Sequence, residues 1–439
     1  MRFTRTPGPA VHRAGLRSTL FRTLAPLAHE SAQRNVRRLA GRTRPPTRAG
    51  ENPAWEGEPG FGDATWVLGQ DAGTLLKSTP MWLLGTRGRL NPATAYRIEY
   101  VTTDARERAI TATGAYFHSH SPWRGGARPV IAFAPSTQGV AQHCDPSYTC
   151  TVGTNVFLTR PYDAIAAYEL PVINLFLAAG CHVVLTDYPR DPDLELQLYC
   201  DHPSGARALV DAVRAARHLG LPADAPLGFW GFSQGGGTVG TALERTDYAP
   251  DVTPSAAVVG APPAQLDAVL RHADGTLVTG VIAYATAGLM VTSPEIRDEI
   301  LAVLTKDGLR TLVDNLTTCA GGSLLASGWR STASWTRSGM PLGAILDDLP
   351  AVDDEFARRR LGQGAPDVPV LLWGSTHDDV IPIGPVRQLQ IDWQRQGADV
   401  TWRENRFPRV PGRTGLNHFG PYYRTLTDDV GWLLDQLRR

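Results

Sequence analysis

The stretch Leu227–Gly240, LGFWGFSQGGGTVG, decides how this chain reads. An apolar run, LGFW, enters the pentapeptide Gly231-Phe232-Ser233-Gln234-Gly235, and a run of small residues leaves it. That order is strand, tight turn, helix, the context of a nucleophile elbow. A serine held in such a turn needs small neighbours, and Gly231 and Gly235 let strand and helix approach closely. The helix then directs its free N–H groups and the positive end of its dipole at the serine. A bare GxSxG recurs by chance, so the flanking runs set this one apart from a Gly-rich turn with an ordinary serine.

Outward from this point the chain alternates. Short apolar runs at Pro129–Pro135, Cys181–Asp187, Leu227–Gly231, Ala256–Gly260 and Val368–Gly374 suit strands buried on both faces of a parallel sheet. Tyr96–Thr103 and Ala109–Phe117 alternate apolar and polar residues and read as a hairpin, and Gly62–Gly88 reads as helical turns. Ser204–Leu219 and residues 234–245, 385–396 and 424–437 read as helices. The fold expected is α/β, a mainly parallel sheet flanked by helices. Residues 261–349 break the alternation: they hold helical stretches and no convincing strand, too long for one crossover. They are read as a helical insertion between two parts of one core, 61–260 and 350–439.

A serine hydroxyl needs a base, and the order expected on such a sheet is Ser, then an acid, then His. After the Val368–Gly374 run comes Ser375-Thr376-His377-Asp378-Asp379-Val380-Ile381-Pro382. Asp378 is the preferred acid, and Asp379 is the alternative. His418, in Asn417-His418-Phe419-Gly420, completes the order; His118, His120, His143, His182, His202, His218 and His272 all precede the acid. His377 adjoins the acid on the wrong loop. The oxyanion hole should use the N–H of Gln234 and a second donor from the loop after the Pro129–Pro135 run, with Thr137 and Gln138 as candidates.

Composition narrows the class. With 42% hydrophobic and 20% charged residues the chain is not wholly disordered, and no apolar stretch is long enough for a spanning helix. Frequent Pro and Gly exclude a coiled coil. The formal net charge is zero, which argues against a dedicated nucleic-acid binder. The balance hides an asymmetry: residues 1–50 carry eleven Arg and a single acid, Glu30. Residues 1–60 are expected to be an Arg-rich, disordered leader; a targeting segment and an arm for anionic surfaces are the other readings. Five cysteines show no CxxC and no zinc-type spacing, so no structural metal is expected.

The chain resembles the secretory lipase family of α/β-hydrolases, the yeast lipase A type, over roughly residues 60–435. The likeness rests on STQGVAQHCDPSY at 136–148, GFWGFSQGGG at 228–237, HDDVIP at 377–382 and NHFG at 417–420. It implies hydrolysis of carboxylic esters, including acylglycerols, through an acyl-enzyme on Ser233, with Asp378 and His418 completing the triad and no cofactor. An amidase, peptidase or lactone hydrolase on the same triad is the alternative. The resemblance further implies that residues 261–349 form a cap or lid, that Gln138 supplies the second oxyanion donor, and that Cys144 and Cys319 are bridged. The implied partner is a small-molecule or lipid ester, with transient contact at a lipid surface and no nucleic acid. Family members are typically exported, whereas residues 1–50 hold no recognisable signal-peptide core. The charged stretch Pro189–Asp193 also departs from the family pattern.

Overall fold

The computed structural model describes residues 15–20, 29–33, 67, 69–81, 83–84, 93–158 and 160–438. Most of the expected leader lies outside the described residues. Its two described pieces, 15–20 and 29–33, are helical. Leu16 is buried in the main core, and Ser31 Oγ accepts the Thr154 N–H at 2.7 Å.

Strands β1 (Leu75–Met81), β2 (Ala93–Thr103) and β3 (Ala109–Ser119) form an antiparallel edge. After β4 (Val130–Ala134), a small hairpin of β5 (Thr154–Phe157) and β6 (Asp163–Ala166) stays outside the main sheet. Then follow β7 (His182–Pro189), β8 (Leu227–Phe232), β9 (Ala256–Gly260), β10 (Val370–Ser375) and β11 (Val400–Asn405). The sheet order is β1-β2-β3-β7-β4-β8-β9-β10-β11. β4 and β7 to β11 are mutually parallel. β1 corrects the expectation of helical turns in this region. LLKSTPM is half-buried at a sheet edge, where a strand needs no continuous apolar run.

Both faces of the sheet are packed. On β4, Val130, Ala132 and Ala134 join one cluster with Leu209 and Val239. Ile131 and Phe133 join the opposite cluster with Phe176 and Leu433. The helices that cover these faces include α1 (Leu170–Ala179), α2 (His202–Arg217) and α3 (Gln234–Glu244). Asp201 caps α2 by accepting the Ser204 N–H at 3.1 Å.

From β9 to β10 the chain is helical: α4 (Leu266–Ala273), α5 (Gly280–Met290), α6 (Pro294–Val303), α7 (Lys306–Leu316), α8 (Ala320–Ser327) and, after shorter turns, α9 (Pro350–Arg359). α6 and α7 are separate helices because Ser293 and Thr305 each cap a new start. The helical run continues past residue 349: Val352 and Phe356 of α9 pack with Leu266, Ile282 and Ile300 in a third cluster. Two helices complete the core, α10 (Ile383–Arg395) and α11 (Leu416–Gln436). α11 starts well before residue 424, the expected position. Pro421 lies inside it, and an internal proline reads as a boundary. Among the described residues, no helix is long and apolar enough to cross a membrane.

Candidate active site

Ser233 stands between β8 and α3 with φ +58° and ψ −121°, a conformation that L residues avoid. The surrounding backbone holds it there. Its N–H donates to Gly260 O at 2.9 Å. A Cβ on Gly231 would overlap the Gly235 carbonyl, and one on Gly235 would overlap the Ala134 carbonyl. Both glycines are therefore obligatory by contact. Gln234 is the first residue of α3, so its N–H belongs to the first turn, where no intrahelical carbonyl is available.

Asp378 and His418 meet across the loops that follow β10 and β11. His418 Nδ1 lies 2.7 Å from Asp378 Oδ2, and both residues are buried. The other carboxylate oxygen accepts the N–H groups of Val380 at 2.9 Å and Ile381 at 2.8 Å. These bonds fix the orientation of the carboxylate. The carboxylate accepts the Nδ1–H hydrogen bond, which leaves Nε2 of the ring with its lone pair free. Nε2 is buried and makes no hydrogen bond among the described residues. His418 sits in the first turn of α11, not in the loop before it. Its ring stacks on Phe232, the residue before the serine, with centroids 4.6 Å apart. Phe232 is itself stacked on Tyr422 and Trp373.

The two adjacent acids divide the work. Asp379 Oδ2 accepts Gly415 N–H at 3.0 Å and Asn417 Nδ2–H at 3.1 Å, so it holds the turn that presents His418. His377 is exposed. A contact from the helical block, His272 Nε2 to the Asp378 carbonyl at 2.9 Å, had no signal in the sequence.

Ser233, Gln234 and His418 line one cavity of about 470 Å³, a size typical of small-molecule sites. Thr137 lines it too, with its hydroxyl 2.6 Å from Tyr199 OH. Gln138 is not among the lining residues. Its side-chain nitrogen turns toward Ser136 O at 3.4 Å, and its carbonyl accepts Ala320 N–H at 2.8 Å. Three further groups brace this loop. Glu169 Oε1 accepts Ser136 N–H at 2.6 Å and Ser136 Oγ–H at 2.5 Å. Complete burial raises the Glu169 pKa to about 7. Arg190, in the charged stretch that departs from the family pattern, donates to Val140 O at 2.5 Å and to Asp145 Oδ1 at 2.5 Å. Glu169 was visible only as a lone acid entering an otherwise apolar helix. Finally, Cys144 and Cys319 form a disulfide that ties the loop to the start of α8, while Cys150, Cys181 and Cys200 are free and buried.

The remainder of the cavity wall is mostly apolar, and the helical block contributes Leu266, Val269, Leu270, Val281, Ala285 and Leu324 to it.

Comparison with known proteins places this geometry in context. A secreted triacylglycerol lipase of Malassezia globosa is 25% identical over 80% of this chain and 74% of the relative. A probable inactive lipase of Mycobacterium tuberculosis is 27% identical over 86% of this chain and 80% of the relative. Among solved structures, Candida antarctica lipase A superposes with a TM-score of 0.66 at 19% identity, covering 82% of this chain and 83% of that one. The cell wall degrading esterase LipA of Xanthomonas oryzae reaches 0.66 at 18% identity, over 84% of this chain and all of the other. These two likenesses establish an α/β-hydrolase fold. A family model described as secretory lipase matches residues 163–438, more than half of the sequence, and the chain belongs to that family.

Proposed function

We propose that the protein is a serine esterase of the lipase type, hydrolysing carboxylic esters with apolar acyl groups. The observation that carries this reading is the placement of Ser233 and His418 in one apolar cavity, with His418 Nδ1 on the Asp378 carboxylate.

In this reading His418 Nε2 takes the proton of Ser233 as Oγ attacks the ester carbonyl. The Gln234 N–H and the Thr137 loop hold the oxyanion, and His418 then protonates the leaving alkoxide. Water, activated by the same ring, releases the acyl group. Asp378 remains ionised and fixes the ring tautomer. The main sheet and the helices that flank it act as the catalytic core. The helical block after β9 acts as a cap whose apolar residues select the acyl chain. Esters of fatty acids, acylglycerols among them, fit such walls.

One relative carries the name probable inactive lipase, so activity itself is the first thing to measure. A p-nitrophenyl ester series from short to long acyl, tried on wild type and Ser233→Ala, provides the test. Wild type should turn over, and the variant should lose roughly 10⁶-fold in kcat. A folded wild type that cleaves no ester would sink the reading, and amides and lactones would be tried next.

A further inference from the structure

The sequence shows no metal-type spacing, because His143 and Cys144 are neighbours and Cys319 lies 175 residues beyond Cys144. The fold brings the three together. One ligand atom from each of His143, Cys144 and Cys319 lies within 4.8 Å of the other two, and all three residues are buried.

The histidine is already set up as a ligand. Its Nε2 is 2.9 Å from Asp163 Oδ2. The Asp163 carboxylate also accepts N–H groups from Ala164 at 2.7 Å, from Cys319 at 3.0 Å and from Gly322 at 3.0 Å. Asp163 thus anchors the ring through Nε2. Nδ1 is buried and makes no hydrogen bond among the described residues. A carboxylate that orients an imidazole by one nitrogen while the other is free is the arrangement found behind metal-bound histidines.

We propose that the Cys144–Cys319 bridge masks a thiolate–imidazole site for a zinc-class divalent cation. When a phosphine and water reduce the bridge, the S–S bond breaks, two thiols form, and the phosphine leaves as its oxide. The cation then binds both sulfurs and His143 Nδ1, each thiol losing its proton to solvent. Two thiolates balance the double charge, and a fourth position stays open to water. Asp163 is a positioning residue that holds the ring. The consequence is structural. Cys144 ends the loop that contains Thr137, and Cys319 caps the helix whose Ala320 and Leu324 line the cavity. A metal in the place of the bridge keeps loop and helical block tied under reducing conditions. The site is independent of the reading as an esterase, because its test is metal binding.

The experiment is a titration of the full chain with Co²⁺ without oxygen, after phosphine reduction and removal of the excess. One equivalent should bind, with a near-ultraviolet sulfur-to-cobalt band and the visible bands of a tetrahedral ion. Zn²⁺ should bleach both, and two protons should appear per ion. The oxidised protein and Cys144→Ser should show no band, and Asp163→Asn should bind 10- to 100-fold more weakly. His143→Gln should shift the visible bands and weaken binding at least tenfold. The proposal is overturned if the reduced protein gives no thiolate band while circular dichroism shows it folded. Unfolding on reduction overturns it as well, and so does a band that persists in Cys144→Ser, which would locate the metal on Cys150, Cys181 or Cys200.

Discussion

The ends of the parallel strands and the helical block after β9 face the same cavity but are specified in different ways. At the strand ends, backbone decides position. Ser233 has a positive φ, Gly231 and Gly235 admit no side chain, and Asp378 is tied to the N–H groups of its own loop. In the helical block, side-chain volume decides. Val269, Leu270, Val281 and Leu324 form a wall, supported by a hydrophobic cluster of the block's own. In the proposed reading, chemistry and substrate selection are thus encoded apart, and changes in one should leave the other nearly intact.

The sharpest way to break this comparison lies within the first region. Asp378→Asn should lower kcat by about 10⁴-fold, because the wrong tautomer of His418 is then held. Asp379→Asn leaves that tautomer alone. It weakens two charge-assisted bonds to the His418 turn, costing about 1–2 kcal/mol of stability, with a far smaller fall in kcat. Equal losses of kcat in the two variants would mean that the roles of the acids have been assigned wrongly.

In the second region, Val281→Phe fills part of the wall. It should cut kcat/KM for long acyl esters by about 10- to 200-fold and leave short esters within a few-fold. A parallel fall for every chain length would show that the block supports the reacting groups and not the acyl chain alone.

The smallest effect concerns Glu169, which braces the loop between the two regions. Burial raises its pKa from 4.5 to about 7 in the folded protein. The folded state therefore keeps a proton that the unfolded chain releases between those values. This contribution to stability is complete below about pH 4.5 and is lost as pH rises through about 7. Glu169→Gln should match or exceed the wild-type Tm near pH 8, and the gap should narrow toward pH 5. A Tm difference independent of pH would remove Glu169 from the titrating groups.

Local pattern was enough for much of the architecture. The runs ending at Pro135, Gly231, Gly260 and Gly374 read as buried strands because both faces of the sheet demand apolar side chains. The elbow was legible because its glycines are required by contacts within a few residues. Ser233, Asp378 and His418 could be ordered along the chain because strand-end loops must supply them in turn. Edges and boundaries were not legible. β1 is half-buried and carries no strong pattern, and α11 runs through Pro421.

The sequence by itself determined the α/β order, the serine in its turn and the three side chains to be tested with it. Only the tertiary structure decided which of two adjacent acids meets His418. It alone turned Thr137 into the cavity and Gln138 out of it, and gathered Glu169, Arg190 and the Cys144–Cys319 bridge around one loop. The physical reason is range. Strand, helix and tight turn are specified by neighbours in the chain. A buried carboxylate or an imidazole finds its partner across 33 residues in Glu169 and 40 in His418, where only packing chooses.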